Sequence, residues 1–249
     1  MRKEERQKFI LKEINLHNRV LCTDLSVTLC ISDDTIRRDI KELADMGKIL
    51  KIHGGAVGLS FVSPFNIQNE VYAIEAKKVI AEKALKLIKN NNIVLTEGGT
   101  TILEMAKMIP KTLKAIFFTI SPQIAITLSE FNNIEVITIG GRLLKNANLH
   151  VGSGMINQLS EIKADLCLLG ANAFSVDDGL TDLDWEIVQA KKALIRSSRK
   201  VALLMISEKL NTTQTIKICD LNQVNYLITE LDADDPLLKR YRETGLTVI

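Results

Sequence analysis

Through the last two thirds of the chain, short apolar runs alternate with amphipathic stretches, and this alternation constrains the fold more than any other feature. The runs are "IVLTE", "KAIFFTIS", "IEVITIGG", "ADLCLLGANAF", "KVALLMIS", "VNYLITE" and "LTVI". Between them lie helix-like segments: "EAKKVIAEKALKLIKNNN", "ILEMAKMI", Pro122 to Phe131, "GMINQLSEI", "LDWEIVQAKKALIRSS" and a stretch near 234–243. A strand apolar along its length has both faces covered, so the pattern predicts a mainly parallel α/β sheet with helices on both sides. An apolar content of 46% in 249 residues is ample for such a core.

The first sixty residues read differently. Phe9, Ile10, Leu11 and Ile14 form an apolar stripe on a helix from about Glu4 to Leu16. "HNRV" breaks it, and "CTDLSVTLC" predicts a short helix with Thr23 as its N-cap. After the tight turn "CIS", Ser32 followed by Asp33 and Asp34 marks a helix start, a capping hydroxyl and two acids at the positive end of the dipole. That helix is expected to run to about Met46, with Gly47 just past its end. Ile36, Ile40 and Leu43 fall on one face, while Asp34, Arg38, Lys41 and Asp45 lie opposite and Thr35 and Arg37 emerge at the flanks. "KILKIHGGAV" then predicts a two-stranded wing turning at Gly54-Gly55 and carrying Lys48, Lys51 and His53.

Helix, short helix, turn, capped helix and β-wing in that order make a winged helix-turn-helix, whose third helix enters the major groove of DNA with its first turns at base edges. Thr35, Arg37 and Arg38 are the candidate base contacts, since an arginine can grip guanine O6 and N7 with two hydrogen bonds. Lys48, Lys51 and His53 are placed on phosphate, and Ser32, Asp34 and Lys41 complete the candidate DNA-facing set. A charged helical face is otherwise merely solvated; the ordered elements around this one favour DNA. Bulk charge does not decide the matter. Residues 1–58 hold eleven Lys+Arg against nine Asp+Glu, and the rest hold 21 of each.

In a parallel α/β sheet, ligands bind beyond the carboxyl ends of the strands. The polar segments there are "TEGGTT" (96–101), "TIS" (119–121), "GGR" (140–142), "LGANAF" (169–174) and "SEKL" (207–210). In the first, Gly98 and Gly99 let backbone N–H groups approach an anion, Thr100 and Thr101 add hydroxyls, and the next helix presents its positive end. Lys191 and Lys209 are candidate counter-charges for a phosphate. Glu97, Ser121, Gly140, Gly141, Arg142, Gly170 and Asn172 complete the candidate effector set.

"SDDTIRRDIKELADMGKILKIHGGAV" resembles the signature of the DeoR family of bacterial transcription repressors, Ser/Thr-x-x-Thr-Ile-Arg-Arg-Asp-Leu followed by a glycine and an "HGGA" wing, over residues 4–57. The later order of Gly-Thr-Thr, Thr-x-Ser, Gly-Gly-Arg-Leu, Leu-Gly-Ala, Gly-Leu-Thr and a lysine-bearing helix is similar to that family's effector domain. The resemblance implies a fold like ribose-5-phosphate isomerase and the sensing of phosphorylated sugars. It carries Gly99, Thr100 and Thr101 onto the phosphate loop, Gly140 and Gly141 onto a double-glycine turn, and Gly170 onto the glycine of a site strand. Lys191 falls on the helix lysine and Lys209 on the lysine of "DSSKF". Departures cluster at the same places: Glu97 for Asp, Gly98 for Ser, Ile120 for Asn, Asn172 for Asp and Ile206 for Asp. A buried sugar hydroxyl left unpaired costs about 1–3 kcal/mol, so either the ligand is smaller or less polar on that side or the pocket is weakened.

The expected organisation is therefore a DNA-binding domain at 1–57, a connector at 58–73 whose Phe61, Phe65 and Ile67 are apolar enough to dock, and an effector domain at 74–249. Cys22, Cys30, Cys167 and Cys219 show no metal-ligand spacing. No signal-peptide pattern is present, and no window reaches the ~20 apolar residues that span a bilayer, so a cytoplasmic protein without a cofactor is expected. The function expected is a transcriptional regulator, a repressor of carbohydrate genes, with operator DNA and a phosphorylated sugar as partners. A dimer or tetramer is expected because paired half-sites mirror a two-fold axis. The alternatives are a sugar-phosphate isomerase or deaminase with an appended DNA module, using Glu97, Asp182, Asp184 or Glu186, and a constitutive repressor with a degenerate pocket.

Overall fold

The computed structural model describes residues 1–17, 19–58 and 71–249. It divides into two compact units, Met1–Tyr72 and Ala73–Ile249. Most of the expected connector, including Phe61, Phe65 and Ile67, lies outside the described residues.

The first unit begins with α1 (Lys3–His17), whose Ile10 and Ile14 are buried while Phe9 and Leu11 pack at the margin. β1 (Arg19–Leu21) leads directly into α2 (Cys22–Leu29). Leu21 is the N-cap of α2, so Thr23, the expected cap, sits inside the helix and is exposed. The turn after α2 places Cys30 in the left-handed region at φ 53° and closes with Ser26 Oγ donating to the Ile31 carbonyl at 2.8 Å.

α3 (Asp33–Asp45) buries Ile36, Ile40 and Leu43 as its spacing predicts, and also Asp39. Ser32 occupies the N-cap position, but its hydroxyl bonds the Thr35 hydroxyl at 2.9 Å and not a backbone N–H. At the other end Gly47 adopts φ +68° while its N–H reaches the Ala44 carbonyl and that of Lys48 reaches Leu43, both at 2.9 Å. These two reverse bonds satisfy the last carbonyls and favour a glycine at this point.

β2 (Ile49–Ile52) and β3 (Gly55–Gly58) form the wing. It has three strands, in the order β1-β3-β2, where two were expected. The β2–β3 turn is His53-Gly54, with Gly54 at φ +75°, because Ile52 pairs with Gly55. Gly55 instead faces β1: a Cβ there would lie 1.9 Å from the Val20 carbonyl oxygen.

The second unit opens with α4 (Ile74–Leu85), β4 (Ile93–Thr96), α5 (Thr100–Lys107), β5 (Ala115–Thr119), α6 (Pro122–Leu128) and β6 (Ile134–Thr138). A hairpin of β7 (Arg142–Leu144) and β8 (Leu149–Val151) precedes α7 (Ser153–Ser160) and β9 (Leu166–Gly170). Then come β10 (Ala173–Ser175), β11 (Gly179–Asp182), α8 (Trp185–Arg196), β12 (Val201–Leu204), β13 (Ile216–Cys219), β14 (Tyr226–Ile228), α9 (Lys239–Glu243) and β15 (Thr247–Val248). The main sheet has the order β15-β14-β12-β9-β4-β5-β6, and every pairing in it is parallel.

From the β9–β4 pair the chain winds outward in both directions, so the strand order reverses there. "ADLCLLGANAF" is not one strand. It splits at Ala171-Asn172 into β9 and β10, and β10 joins the antiparallel sheet β10-β11-β13. Tyr241 secures that layer by stacking on Phe174 at 5.5 Å and donating from its hydroxyl to the Phe174 carbonyl at 3.0 Å.

Candidate DNA-reading face and effector site

α3 offers its outer face to solvent. Ser32, Asp34, Arg37, Arg38 and Lys41 are exposed and Thr35 is half-buried; on the wing Lys48, Lys51 and His53 are exposed. The face is held in place from behind. Arg6 on α1 pairs with the buried Asp39, and Lys3 and Gln7 both reach Glu42 at 2.9 Å. The two adjacent arginines differ. Arg37 is tied to Asp33 one turn earlier, its Nη2 lying 2.8 Å from Oδ2, whereas Arg38 opposes the buried stripe and projects outward.

In the α/β unit the polar strand ends converge where the strand order reverses. Glu97, just past β4, accepts the Gly170 N–H at the end of β9 at 3.1 Å on Oε2. Its other oxygen lies 3.5 Å from Lys191 Nζ, and the same ammonium lies 3.1 Å from Asp182 Oδ2. Asp182 also accepts both contacts from the Asn172 amide, at 3.1 and 3.0 Å, and the Leu183 N–H at 2.8 Å. Beside this network Lys209 donates to the Ala171 carbonyl at 3.0 Å. Glu97, Gly170, Asn172 and Lys191 thus form one connected set with Asp182, and Lys191 joins its two carboxylates.

The remaining candidates are arranged less closely. Gly99 caps α5 at φ +98°, a conformation that favours glycine, and leaves Thr100 half-buried at the helix start with Thr101 buried behind it. Gly98 is a packing site: a Cβ there would lie 2.6 Å from Leu149 of the β7–β8 hairpin. Ser121 is buried and caps α6. Gly140 and Gly141 lead into the hairpin, where a Cβ on Gly141 would meet the Val151 carbonyl at 2.7 Å. Arg142 is exposed and paired with Glu186 at 2.9 Å, outside the network. Ile120 is a core residue beside Leu95 and Leu149, and Ile206 is also buried.

The charges in this site are unequal in kind. Burial opposes the charge on Lys191, but Glu97 and Asp182 outweigh it and hold the ammonium protonated above its ordinary range. Burial raises Asp182 too, yet Lys191, Asn172 and the Leu183 N–H together bring it below the usual carboxylate value. Glu97 is left raised by its burial despite Lys191. The same burial, reinforced by Lys77 and Lys191, pushes Lys209 down to about 7. Lys77, only 8% exposed on α4, is pushed down by burial to about 8, with Glu104 opposing. The site thus contains one ammonium shared by two carboxylates, and two further lysines, Lys77 and Lys209, that burial pushes below the ordinary lysine range.

Asp182 and Lys77 were not among the candidate binding residues. Lys77 had a legible signal, since it shares helical spacing with Ile80, Ala81 and Ala84 on the buried face of α4. Asp182, named only among the carboxylates of the enzyme alternative, gave no local sign of a binding role, because its partners Asn172 and Lys191 come from the loop after β9 and from α8.

Among the described residues no helix is long and apolar enough to cross a membrane, and no cluster of metal-ligating side chains is found. Residues 72–231 match the family profile described as DeoR C terminal sensor domain, and residues 6–60 the one described as DeoR-like helix-turn-helix domain. The chain is 32% identical to the HTH-type transcriptional regulator GolR of Listeria innocua serovar 6a, over 98% of this chain and 97% of that protein. It is 28% identical to the glycerol-3-phosphate regulon repressor of Haemophilus influenzae, over 92% and 90%. Among solved structures it is similar to ribose 5-phosphate isomerase A of Methanocaldococcus jannaschii, at 16% identity and a TM-score of 0.40, covering 54% of this chain and 53% of that one. That likeness concerns fold alone, and the architecture stands on the strand order itself. With both units matched and one relative above 30% identity along nearly its whole length, the chain belongs to the DeoR family of DNA-binding transcriptional regulators.

Proposed function

We propose that this chain represses genes of carbohydrate or polyol-phosphate metabolism, reading operator DNA with the outer face of α3 and sensing a phosphorylated metabolite at the carboxyl ends of β4 and β9. The observation that carries the sensing half is the network of Glu97, Asp182, Asn172 and Lys191 at the point of strand reversal, with Lys209 and Lys77 beside it. Crevices for ligands form at such points. The α5 amino end after Gly99 supplies N–H groups for an anion, and an arriving phosphate would favour the charged form of Lys209, which burial holds near 7. The name of the Haemophilus relative supports a small phosphorylated polyol as one class of ligand.

The site reads as binding, not catalytic. A general base needs a carboxylate free to take a proton. Glu97 and Asp182 instead share Lys191, and Glu186 pairs with Arg142 on the surface. The ligand must bind the DNA-competent and DNA-incompetent arrangements with different affinities, or nothing is switched. The working form is a dimer or tetramer acting in the cytoplasm, because one short helix reads too few base pairs alone.

A thermal-shift screen of the full chain against phosphorylated sugars and glycerol phosphate tests this reading. A ligand that binds only the native state raises the melting point. At least one phosphorylated compound is expected to do so where its unphosphorylated parent does not. No shift with any phosphorylated compound would leave the constitutive-repressor reading, in which Ile120 and Ile206 mark a pocket closed to ligand.

A further inference from the structure

Arg37 and Arg38 are neighbours on one exposed helical surface, yet Arg37 alone is anchored within the helix. Its Nε and Nη2 both donate to Oδ2 of Asp33, at 3.0 and 2.8 Å. The second oxygen of Asp33 is shielded from solvent and has no hydrogen-bond partner among the described residues. Asp33 therefore has one oxygen turned into the protein and the other holding the arginine. The pair remains accessible, with the Arg37 side chain 58% exposed.

The donors left over matter. A guanidinium carries five N–H groups in a rigid fork. Asp33 engages the side edge, made of Nε–H and one Nη2–H. Both Nη1–H groups and the second Nη2–H stay outside that pair, and this end of the fork is the one that can bridge two acceptors on a base. The carboxylate fixes the direction of the fork and leaves its reading edge unoccupied. Its negative charge also repels phosphate, which disfavours Arg37 as a backbone contact at arbitrary sequences.

We infer that Asp33 is a specificity-determining positioning residue, which aims Arg37 at a base edge and restrains it from acting as a general phosphate contact. The inference rests on the reading of α3 as the DNA-facing helix.

The test starts by selecting a preferred duplex from a randomised pool with the full-length chain. Affinities for that duplex and for a scrambled one of equal length are then measured for wild type, D33N, R37A and the double variant, with D33S as a second replacement at the same position. Asp33→Asn is close to isosteric; it removes the charge and turns one acceptor oxygen into an NH2 donor. D33N is expected to lower the selected-to-scrambled affinity ratio about tenfold, within what one two-pronged arginine–base contact supplies. Binding to the scrambled duplex should be unchanged or tighter. In the R37A background D33N should change the ratio no further, which a merely structural role at the helix start would not produce. If D33N and D33S keep the wild-type ratio, weaken both duplexes equally, or act undiminished in the R37A background, the inference is overturned while the DNA-reading assignment stands. A chain that enriches no sequence from the pool overturns the DNA-reading assignment itself, and this inference with it.

Discussion

Arg6 on α1 and Asp39 on α3 are joined by a two-pronged ion pair, Nη2 donating to Oδ1 at 3.1 Å while Nε donates to Oδ2. Asp39 is 2% exposed and lies beside Ile36, Ile40 and Leu43 on the inner face of α3. Hydrogen bonding to Asp39 holds the Arg6 guanidinium above its ordinary range despite some desolvation. The pair couples fold to function: it fixes the rotation of α3 about its axis, and that rotation turns Arg38 to solvent.

Removing the Asp39 carboxylate would leave the Arg6 guanidinium without its partner. D39A is expected to lower the stability of the helical unit by about 3 kcal/mol, the usual cost of breaking a buried pair from one side. Hydrogen exchange of the α3 amides in the full chain under mild denaturant measures this. A loss below about 1 kcal/mol, the scale of an exposed pair, would show that the contact does not hold the helix.

Lys48 stands exposed at the start of the wing, where a phosphate contact would fix register without reading sequence. K48A is expected to weaken all duplexes alike and to flatten the slope of log affinity against log salt by about one unit. Loss of discrimination between duplexes at an unchanged slope would place Lys48 on a base edge.

Thr100 sits half-buried at the first position of α5, directly after the left-handed Gly99. A tryptophan there fills the approach to the α5 amino end. T100W is expected to abolish the thermal shift given by a phosphorylated ligand and to leave duplex affinity without ligand at the wild-type level. A retained shift would move the binding site elsewhere.

The lysines of the site set a pH dependence with a definite sign. Lys209 is held near 7 and Lys77 near 8, by burial first. In the unfolded chain both return to the ordinary lysine value of about 10.4. Below pH 7 both states carry the protons and the fold bears the full cost of the buried charges. From about 7 to 10 the unfolded chain binds more protons, so this contribution makes the fold more stable as pH rises. A bound phosphate opposes the trend by favouring the charged lysines. The ligand-induced rise in melting point is therefore expected to be larger at pH 6.5 than at 8.5, and K209M to reduce that difference. Equal shifts at both values would separate the lysines from the ligand.

The third helix was readable because its signals are local. The acids at 33 and 34, the spacing of Ile36, Ile40 and Leu43, and Gly47 all lie within one short segment. The parallel sheet was readable from its apolar strands for the same reason. β1 was not, since "RVL" is too short to show a period and becomes a strand only because β3 lies alongside, at the approach that Gly55 permits. The β10-β11-β13 sheet was hidden because it assembles from residues 173 to 219, which lie far apart in the sequence.

The candidate site was partly legible. Glu97, Gly170, Asn172 and Lys191 were singled out and are brought together, but Asp182, which links Asn172 to Lys191, reaches them through a strand of another sheet. Asp39 and Lys77 are charges at apolar helical positions, a pattern visible in the residues themselves. Ile120 shows the opposite limit. It stands in a polar motif, yet its side chain belongs to the core.

The surface of α3 opposite its buried stripe is the proposed DNA-reading face, and R38A tests that role most directly. Affinities of wild type and R38A are measured on the pool-selected duplex and on a scrambled control, with circular dichroism confirming an unchanged fold. R38A is expected to lose about 1–3 kcal/mol on the selected duplex, to relax preference at one base pair, and to lose much less on the control. Wild-type affinity and preference in a folded R38A protein would contradict that role.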